Sequence, residues 1–136
     1  MKNVLFSLIA FSLLVTSCVD DPEPICKTDP RAAFVGDYAM EDSVFFLGSF
    51  SEIREYTLRL EIDTVAGDTV ILENIFNTDF GLDLVAIMNG SDFNIPSQED
   101  GSTTVSGSGF IAGDLLEYTA AYADGGYSFK GVGVKN

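Results

Sequence analysis

Apolar and polar side chains alternate along most of the chain. In the clearest run, Tyr56, Leu58, Leu60 and Ile62 stand at every second position between polar neighbours. A period of two is typical of a strand with one buried face and one face in water. Alternating or apolar runs predict eight strands, at residues 34–40, 56–62, 69–76, 82–88, 92–96, 103–111, 115–122 and 127–134.

Turn-forming residues separate the predicted strands. Asn89-Gly90 suits a two-residue hairpin, because Asn and Gly best tolerate its two positive φ angles. Asp100-Gly101 and Gly113-Asp114 supply similar breaks. Connections this short join antiparallel neighbours. The pattern therefore predicts an all-β domain over residues 33–136, built as an eight-stranded antiparallel up-and-down meander.

A closed barrel and a two-sheet β-sandwich both accommodate eight such strands. Gly107 and Gly109 stand two apart in one predicted strand, and Gly131 and Gly133 do so in the last. Glycines on one face let strands bend sharply and approach a neighbour or a ligand closely. They favour the barrel, with the sandwich as the alternative.

The composition excludes several kinds of chemistry. With no His among 136 residues, there is no Ser-His-Asp system and no His-based zinc site. A formal net charge of -14 disfavours nucleic acid as a partner, because like charges repel. No cofactor or metal motif is found, so we expect neither and predict that the protein is not an enzyme. Its 21 acidic side chains leave a carboxylate-based hydrolase as a less favoured alternative.

The first residues have the order of a secretory signal peptide. Lys2 is followed by an apolar run over residues 4–15, which is too short to span a bilayer, and then by small polar residues. The end of this segment, Leu14-Val15-Thr16-Ser17-Cys18, resembles the lipobox of bacterial lipoproteins. The resemblance implies that residues 1–17 are removed and that Cys18 becomes the lipidated first residue, which anchors the protein to a membrane.

Residues 18–32 contain three prolines and several acids and are predicted to form an extended tether. The acids that follow Cys18 resemble the export signal of lipoproteins in Bacteroidota. This resemblance implies the outer membrane, with the domain facing the cell surface; a periplasm-facing anchor is the alternative. Cys26 is either an incidental thiol or a site of intermolecular pairing, and a disulfide to Cys18 replaces both if Cys18 carries no lipid.

Four short segments carry a family resemblance: Phe34-Val35-Gly36-Asp37-Tyr38, Ile95-Pro96-Ser97-Gln98, Val105-Ser106-Gly107-Ser108-Gly109 and residues 118–122. Together they resemble the small lipocalin-like lipoproteins that are common in Bacteroidota. The resemblance implies a lipocalin-like barrel, and it defines a fold rather than an activity.

The segment 44–50 is apolar at successive positions, so strand alternation cannot sort its side chains. It lies between the first two predicted strands, where lipocalin-like barrels carry a loop over the open end. The segment is either an apolar lid of a ligand cavity, or a core plug or strand end buried on both faces. The candidate ligand-binding residues are aromatic: Phe45, Phe46, Phe50, Tyr118, Tyr122 and Tyr127.

These features predict a lipid-anchored cell-envelope protein with a non-catalytic binding role for a small apolar ligand or a glycan. The alternative is a structural or accessory subunit of an outer-membrane complex, with an envelope protein as partner. Three Asp-Ser/Thr-aliphatic triplets resemble the O-glycosylation sequon of Bacteroidota. They make Ser43, Thr64 and Thr69 candidate modification sites.

Mass spectrometry of mature protein purified from its own host tests the anchor. We expect an N-terminus at Cys18 that carries diacylglycerol through a thioether, because the residues before Cys18 resemble a lipobox. An N-terminal peptide with an unmodified Cys18, or one that contains a disulfide between Cys18 and Cys26, would contradict the prediction.

Overall fold

Eight antiparallel strands close into one barrel, in which each strand pairs with its neighbours in sequence and the last pairs with the first. The computed structural model describes residues 28–77 and 82–136, so the predicted signal peptide, Cys18 and Cys26 lie outside the described residues. The strands are β1 (Gly36–Phe46), β2 (Ser49–Ile62), β3 (Thr69–Glu73), β4 (Leu84–Asn89), β5 (Asp92–Asp100), β6 (Thr103–Ala112), β7 (Leu115–Tyr122) and β8 (Tyr127–Lys135). Short 3₁₀ segments, Pro30–Ala33 and Ile75–Asn77, precede β1 and follow β3. The barrel, rather than the sandwich, is the fold.

Within the described ranges, no helix is long and apolar enough to cross a membrane.

The first two strands are longer than the sequence pattern predicts. Residues 44–50, interpreted from the sequence as either an apolar lid or a core plug or strand end buried on both faces, form the end of β1 and the start of β2 around a tight turn. They are strand ends, but Phe46 and Phe50 are exposed rather than buried. Leu47 and Gly48 both have positive φ, 48° and 79°, as in the turns that match the twist of hairpins.

The pairing register shifts between Val44 and Phe45. The extra residue of this β-bulge is Ser51 on β2, and β1 keeps its register with β8 through Phe46. Alternation fails to predict a strand here because apolar side chains stand at successive positions around the turn.

Alternate residues of the strands point into the barrel and form its hydrophobic core. From β1, Tyr38, Met40 and Val44 are at most 3% exposed. Burying one such side chain contributes roughly 1.5–3 kcal/mol, so the core is the main source of stability. Ten inward side chains from the other strands are at most 1% exposed: Leu58, Leu60, Val70, Leu72, Leu84, Ala86, Ile95, Val105, Ile111 and Leu116.

The inward glycines of β8 make room for large side chains on the neighbouring strands. A Cβ at Gly131 would overlap the ring of Tyr118 on β7, and one at Gly133 would overlap the sulfur of Met40 on β1. These glycines therefore allow close packing across the point where the barrel closes.

Residues that precede β1 seal one end of the barrel. Arg31 is 7% exposed, and its Nη1 donates to the carbonyl oxygens of Asp63 (3.1 Å), Ala66 (2.7 Å) and Thr69 (2.5 Å) around the β2–β3 connection. Asp29 pairs with the guanidinium at 2.6 Å, and hydrogen bonds from Arg31 lower the pKa of its carboxyl. The folded domain thus includes residues that the sequence analysis places in the tether, because a hydrophobic pattern does not reveal a buried guanidinium.

Replacing Arg31 tests how much this seal contributes. We expect Arg31→Ala to lower the melting temperature more than Arg31→Lys does, because Lys keeps one charged donor near the three carbonyl groups. Thermal unfolding followed by circular dichroism measures the difference. Arg59→Ala is the matched control, since Arg59 is an exposed arginine that pairs with Asp37 on the outer surface. Equal losses for Arg31→Ala and Arg59→Ala would contradict the prediction.

Candidate functional site

The first part of the β3–β4 connection, Ile75–Asn77, folds into the barrel at the end opposite Arg31. In an up-and-down barrel the β1–β2 and β3–β4 connections lie at one end, and the β2–β3 connection, which Arg31 contacts, lies at the other. Ile75 and Phe76 are both 0% exposed. Phe76 has a φ of 66°, a left-handed conformation that costs a non-glycine residue roughly 1–2 kcal/mol. Packing contacts must offset this cost.

The Phe76 ring closes this end of the barrel. It stacks on Phe129, with the ring centroids 4.2 Å apart and the planes inclined by 21°. Tyr118 and Tyr122 lie 5.8 and 6.1 Å from the same ring. Aromatic pairs contribute about 0.5–1.5 kcal/mol each beyond burial, which is enough to offset the strain. We call Phe76, Phe129, Tyr118 and Tyr122 the aromatic plug, and this end of the barrel the plug end.

Side chains of β2 hold the backbone of the plug. The N–H of Phe76 donates to the hydroxyl of Tyr56 at 3.2 Å. Its carbonyl oxygen accepts from Nη1 of Arg54, also at 3.2 Å. Arg54 in turn pairs with Glu52 at 2.6 Å on the rim. The position of Phe76 therefore depends on polar contacts as well as on ring packing.

A buried carboxylate lies beneath the plug. Asp42 points inward from β1 and is 0% exposed. Its Oδ2 accepts hydrogen bonds from the hydroxyls of Tyr56, at 3.0 Å, and Tyr118. The two hydroxyl oxygens are 3.1 Å apart. Within the described part of the chain, Oδ1 of Asp42 has no hydrogen-bond partner.

Burial shifts the titration of all three groups in this cluster. It raises the pKa of Asp42 above the ordinary value of 3.8, although hydrogen bonds from Tyr118 and Tyr56 oppose the shift. Burial also raises the pKa of Tyr56 and of Tyr118 far above 10, and the nearby carboxylate adds to this effect. Both tyrosines therefore remain hydroxyl donors at physiological pH. Chemically, the cluster is a buried hydrogen-bond acceptor, the carboxyl group of Asp42, held by two tyrosine hydroxyls.

The structure divides the six predicted ligand-binding residues into two groups. Tyr118 and Tyr122 belong to the aromatic plug, and Tyr122 also donates to Asp100 at 2.5 Å. The other four lie near the β1–β2 turn, where Phe45 packs edge-on against Phe50. Phe46 packs against Tyr127 at the rim, and both continue the inward alternation of their strands. Phe46, Phe50 and Tyr127 are 43%, 60% and 42% exposed. These three residues therefore lie at the exposed end of the barrel and not in its buried core.

Sequence reasoning missed Phe76 and Asp42. Phe76 extends the alternating run of β3 and was therefore expected in that strand. The flanking Asn74 and Asn77, which tolerate left-handed backbone and have φ of 60° and 47°, were the available signal for a turn. Asp42 is two residues from Met40, so the period of two already places it on the buried face of β1.

The candidate modification sites differ in accessibility. Thr64 is exposed in the β2–β3 connection, and Ser43 is half-buried on β1. Thr69 is 8% exposed, and its hydroxyl donates to Asp63 at 3.0 Å. Of the three hydroxyl groups, Thr64 is therefore the most open to a modifying enzyme.

The outside of β5–β8 carries a shallow groove of about 370 Å³, lined in part by Phe110, Thr119 and Lys130. No three His, Cys, Asp or Glu side chains of the described ranges form a group that could hold a metal ion. Comparisons of the chain with protein-family models, with curated proteins and with solved structures find no match. The case for a function therefore depends on the geometry of the plug end.

Unfolding as a function of pH tests the state of Asp42. Because its folded-state pKa is raised above 3.8, the folded protein binds a proton more readily than the unfolded chain does. The wild type should therefore gain stability as the pH falls through the raised pKa, with the full gain reached near pH 3.8. We expect its free energy of unfolding to rise relative to that of Asp42→Asn, by about 1.4 kcal/mol for each unit by which the pKa is raised.

Urea unfolding between about pH 4 and pH 7 measures this difference. Asp124→Asn is the matched control, because Asp124 is exposed and reports the general effect of removing one negative charge from an acidic chain. A difference between wild type and Asp42→Asn that stays constant with pH, or that matches the control, would show that Asp42 titrates as an ordinary carboxyl.

Proposed function

We propose that the protein is a lipid-anchored, non-catalytic binding protein of the cell envelope, and that its ligand is a small apolar molecule or a glycan that enters at the plug end. The aromatic plug is the observation that carries this proposal. Strained backbone conformations of non-glycine residues are concentrated at ligand clamps and switch regions. Phe76 combines such a conformation with stacking contacts that an apolar or ring-shaped ligand can replace.

The position of the N-terminal residues of the barrel domain supports an anchored binding protein. Residues 29–33 meet the barrel at the Arg31 end, opposite the plug. A lipid on Cys18 would therefore tether the sealed end and leave the plug end facing away from the membrane. We propose an outer-membrane anchor that faces the cell surface, in line with the acids after Cys18; a periplasm-facing anchor would give the same relative orientation.

A second candidate function is that of an accessory subunit in an envelope complex. It is favoured by the exposed apolar tip of the β1–β2 hairpin and the adjacent start of β8. Large apolar side chains grouped on a surface often mark a protein contact. The exposed members of this tip are Phe46, Leu47, Phe50, Ile53 and Tyr127.

Replacing Phe76 tests the binding role. We expect Phe76→Gly to bind a neutral apolar probe, 1-naphthalenemethanol, roughly tenfold or more tightly than the wild type, because no ring has to be displaced first. Glycine also adopts the left-handed backbone without strain. Titration followed by the fluorescence of the probe measures the affinity, and circular dichroism confirms that each variant is folded. Phe76→Leu serves in place of Phe76→Gly if the latter does not fold.

Phe110→Ala is the matched control, since it also removes an aromatic ring but from the outer groove, where Phe110 is 37% exposed. Binding that is unchanged in Phe76→Gly and lost in Phe110→Ala would place the probe in the outer groove and contradict the proposal. An absence of binding in the wild type and in both Phe76 variants would favour the accessory subunit, and crosslinking in intact envelopes would then identify the partner.

A further inference from the structure

We propose that the ligand of the plug end is an organic cation, an apolar body that bears a protonated amine, and that the amine binds Oδ1 of Asp42. This inference rests on the proposed binding function and specifies the chemistry of the ligand. It depends on the hydrogen bonding of one carboxylate, on the rings around it and on the missing side chain at Gly131.

The two oxygens of Asp42 differ in their hydrogen bonding. Oδ2 accepts hydrogen bonds from the hydroxyls of Tyr56 and Tyr118. Among the residues that the structure describes, none donates to Oδ1, although the side chain is fully buried. Buried polar atoms without a partner are rare in folded proteins, because each one has lost its hydrogen bonds to water. An acceptor in this position is therefore suited to a donor that arrives with a ligand.

The surroundings favour a positively charged donor over a neutral one. A carboxylate in an apolar environment gains most from a donor that is itself charged. The rings of Phe76, Phe129 and Tyr118 surround the approach to the carboxylate, and aromatic faces attract ammonium groups. The chain as a whole has a formal net charge of -14, which attracts cations and repels anions.

Gly131 places its backbone beside Oδ1 of Asp42. It lies opposite Asp42 in the pairing of β1 with β8. A Cβ at this position would stand 2.5 Å from Oδ1. A larger residue would therefore displace the carboxylate. Because Oδ1 is itself buried, a ligand reaches it only after the plug moves.

Arg54 lies opposite Asp42 in the pairing of β1 with β2, but its guanidinium binds other groups. Arg54 donates to the carbonyl oxygen of Phe76 and pairs with Glu52 at the rim. Movement of the plug would break the first of these contacts and would also release the hydroxyl of Tyr56 from the Phe76 N–H. Displacement of Phe76 would therefore free two side chains that border Asp42, those of Arg54 and Tyr56.

Matched probes test the charge of the ligand. We expect 1-naphthylmethylamine to bind the full mature protein at least about tenfold more tightly than its neutral counterpart 1-naphthalenemethanol at neutral pH, since hydrogen bonds between charged groups are the stronger ones. 1-Naphthoic acid, which carries the opposite charge, should bind more weakly than either. In Asp42→Asn the affinity for the amine should fall by more than the affinity for the alcohol, so that the preference for the amine is lost.

The outcomes separate this inference from the proposed function. If the alcohol and the amine bind wild type and Asp42→Asn equally well, the binding function stands and the amine site is refuted. If no probe binds wild type, Phe76→Gly or Phe76→Leu, both proposals fail. Should Asp42→Asn not fold, NMR of the wild type decides: the methylene protons of the bound amine must show an NOE to the Hα protons of Gly131, and its absence overturns the inference.

Discussion

The pairing of β1 with β8 is the contact on which the rest of the structure depends. It runs in register from Tyr38 opposite Lys135 to Phe46 opposite Tyr127 and closes the sheet, so that neither end strand is left as an exposed edge. The same register sets Asp42 opposite Gly131. Because a Cβ at Gly131 would overlap Tyr118 and crowd Asp42, closure in this register requires a residue without a side chain.

The same register determines which polar side chains lie inside the barrel and need hydrogen-bond partners there. It brings the carboxylate of Asp42 into an apolar core, where a charge costs free energy unless hydrogen bonds compensate it. Tyr56 and Tyr118 are suited to this task, since their rings fill the core while their hydroxyls reach Oδ2. The hydroxyl of Tyr56 also receives the N–H of Phe76. The Tyr56 hydroxyl is therefore hydrogen-bonded both to the plug and to the carboxylate, so movement of the plug alters the hydrogen bonding of Asp42.

Sequence patterns predict most of this fold because strands of an up-and-down barrel pair with their neighbours in sequence. The period of two and the turn residues are local signals. Of the strand pairings in the described chain, only that of β1 with β8 joins strands that are distant in sequence. Alternation fails around the β1–β2 turn, where successive residues are apolar, and at the inward turn of Phe76, where the backbone leaves the regular strand geometry. It also gives no sign of Arg31, whose hydrogen bonds reach residues more than thirty positions away. The aromatic character of the site was predictable from Tyr118 and Tyr122, but its assembly depends on these long-range contacts.

The two ends of the barrel are held by different interactions, and this difference favours one route into the interior. At the Arg31 end, opening would separate a buried guanidinium from three carbonyl groups, and residues 29–33 have no left-handed backbone whose strain it could release. At the plug end, Phe76 contributes ring contacts and two hydrogen bonds, and its outward movement would release backbone strain. Water can replace both hydrogen bonds once the connection is exposed. The release of backbone strain therefore favours opening at the plug end, which leaves the end nearest the predicted tether intact.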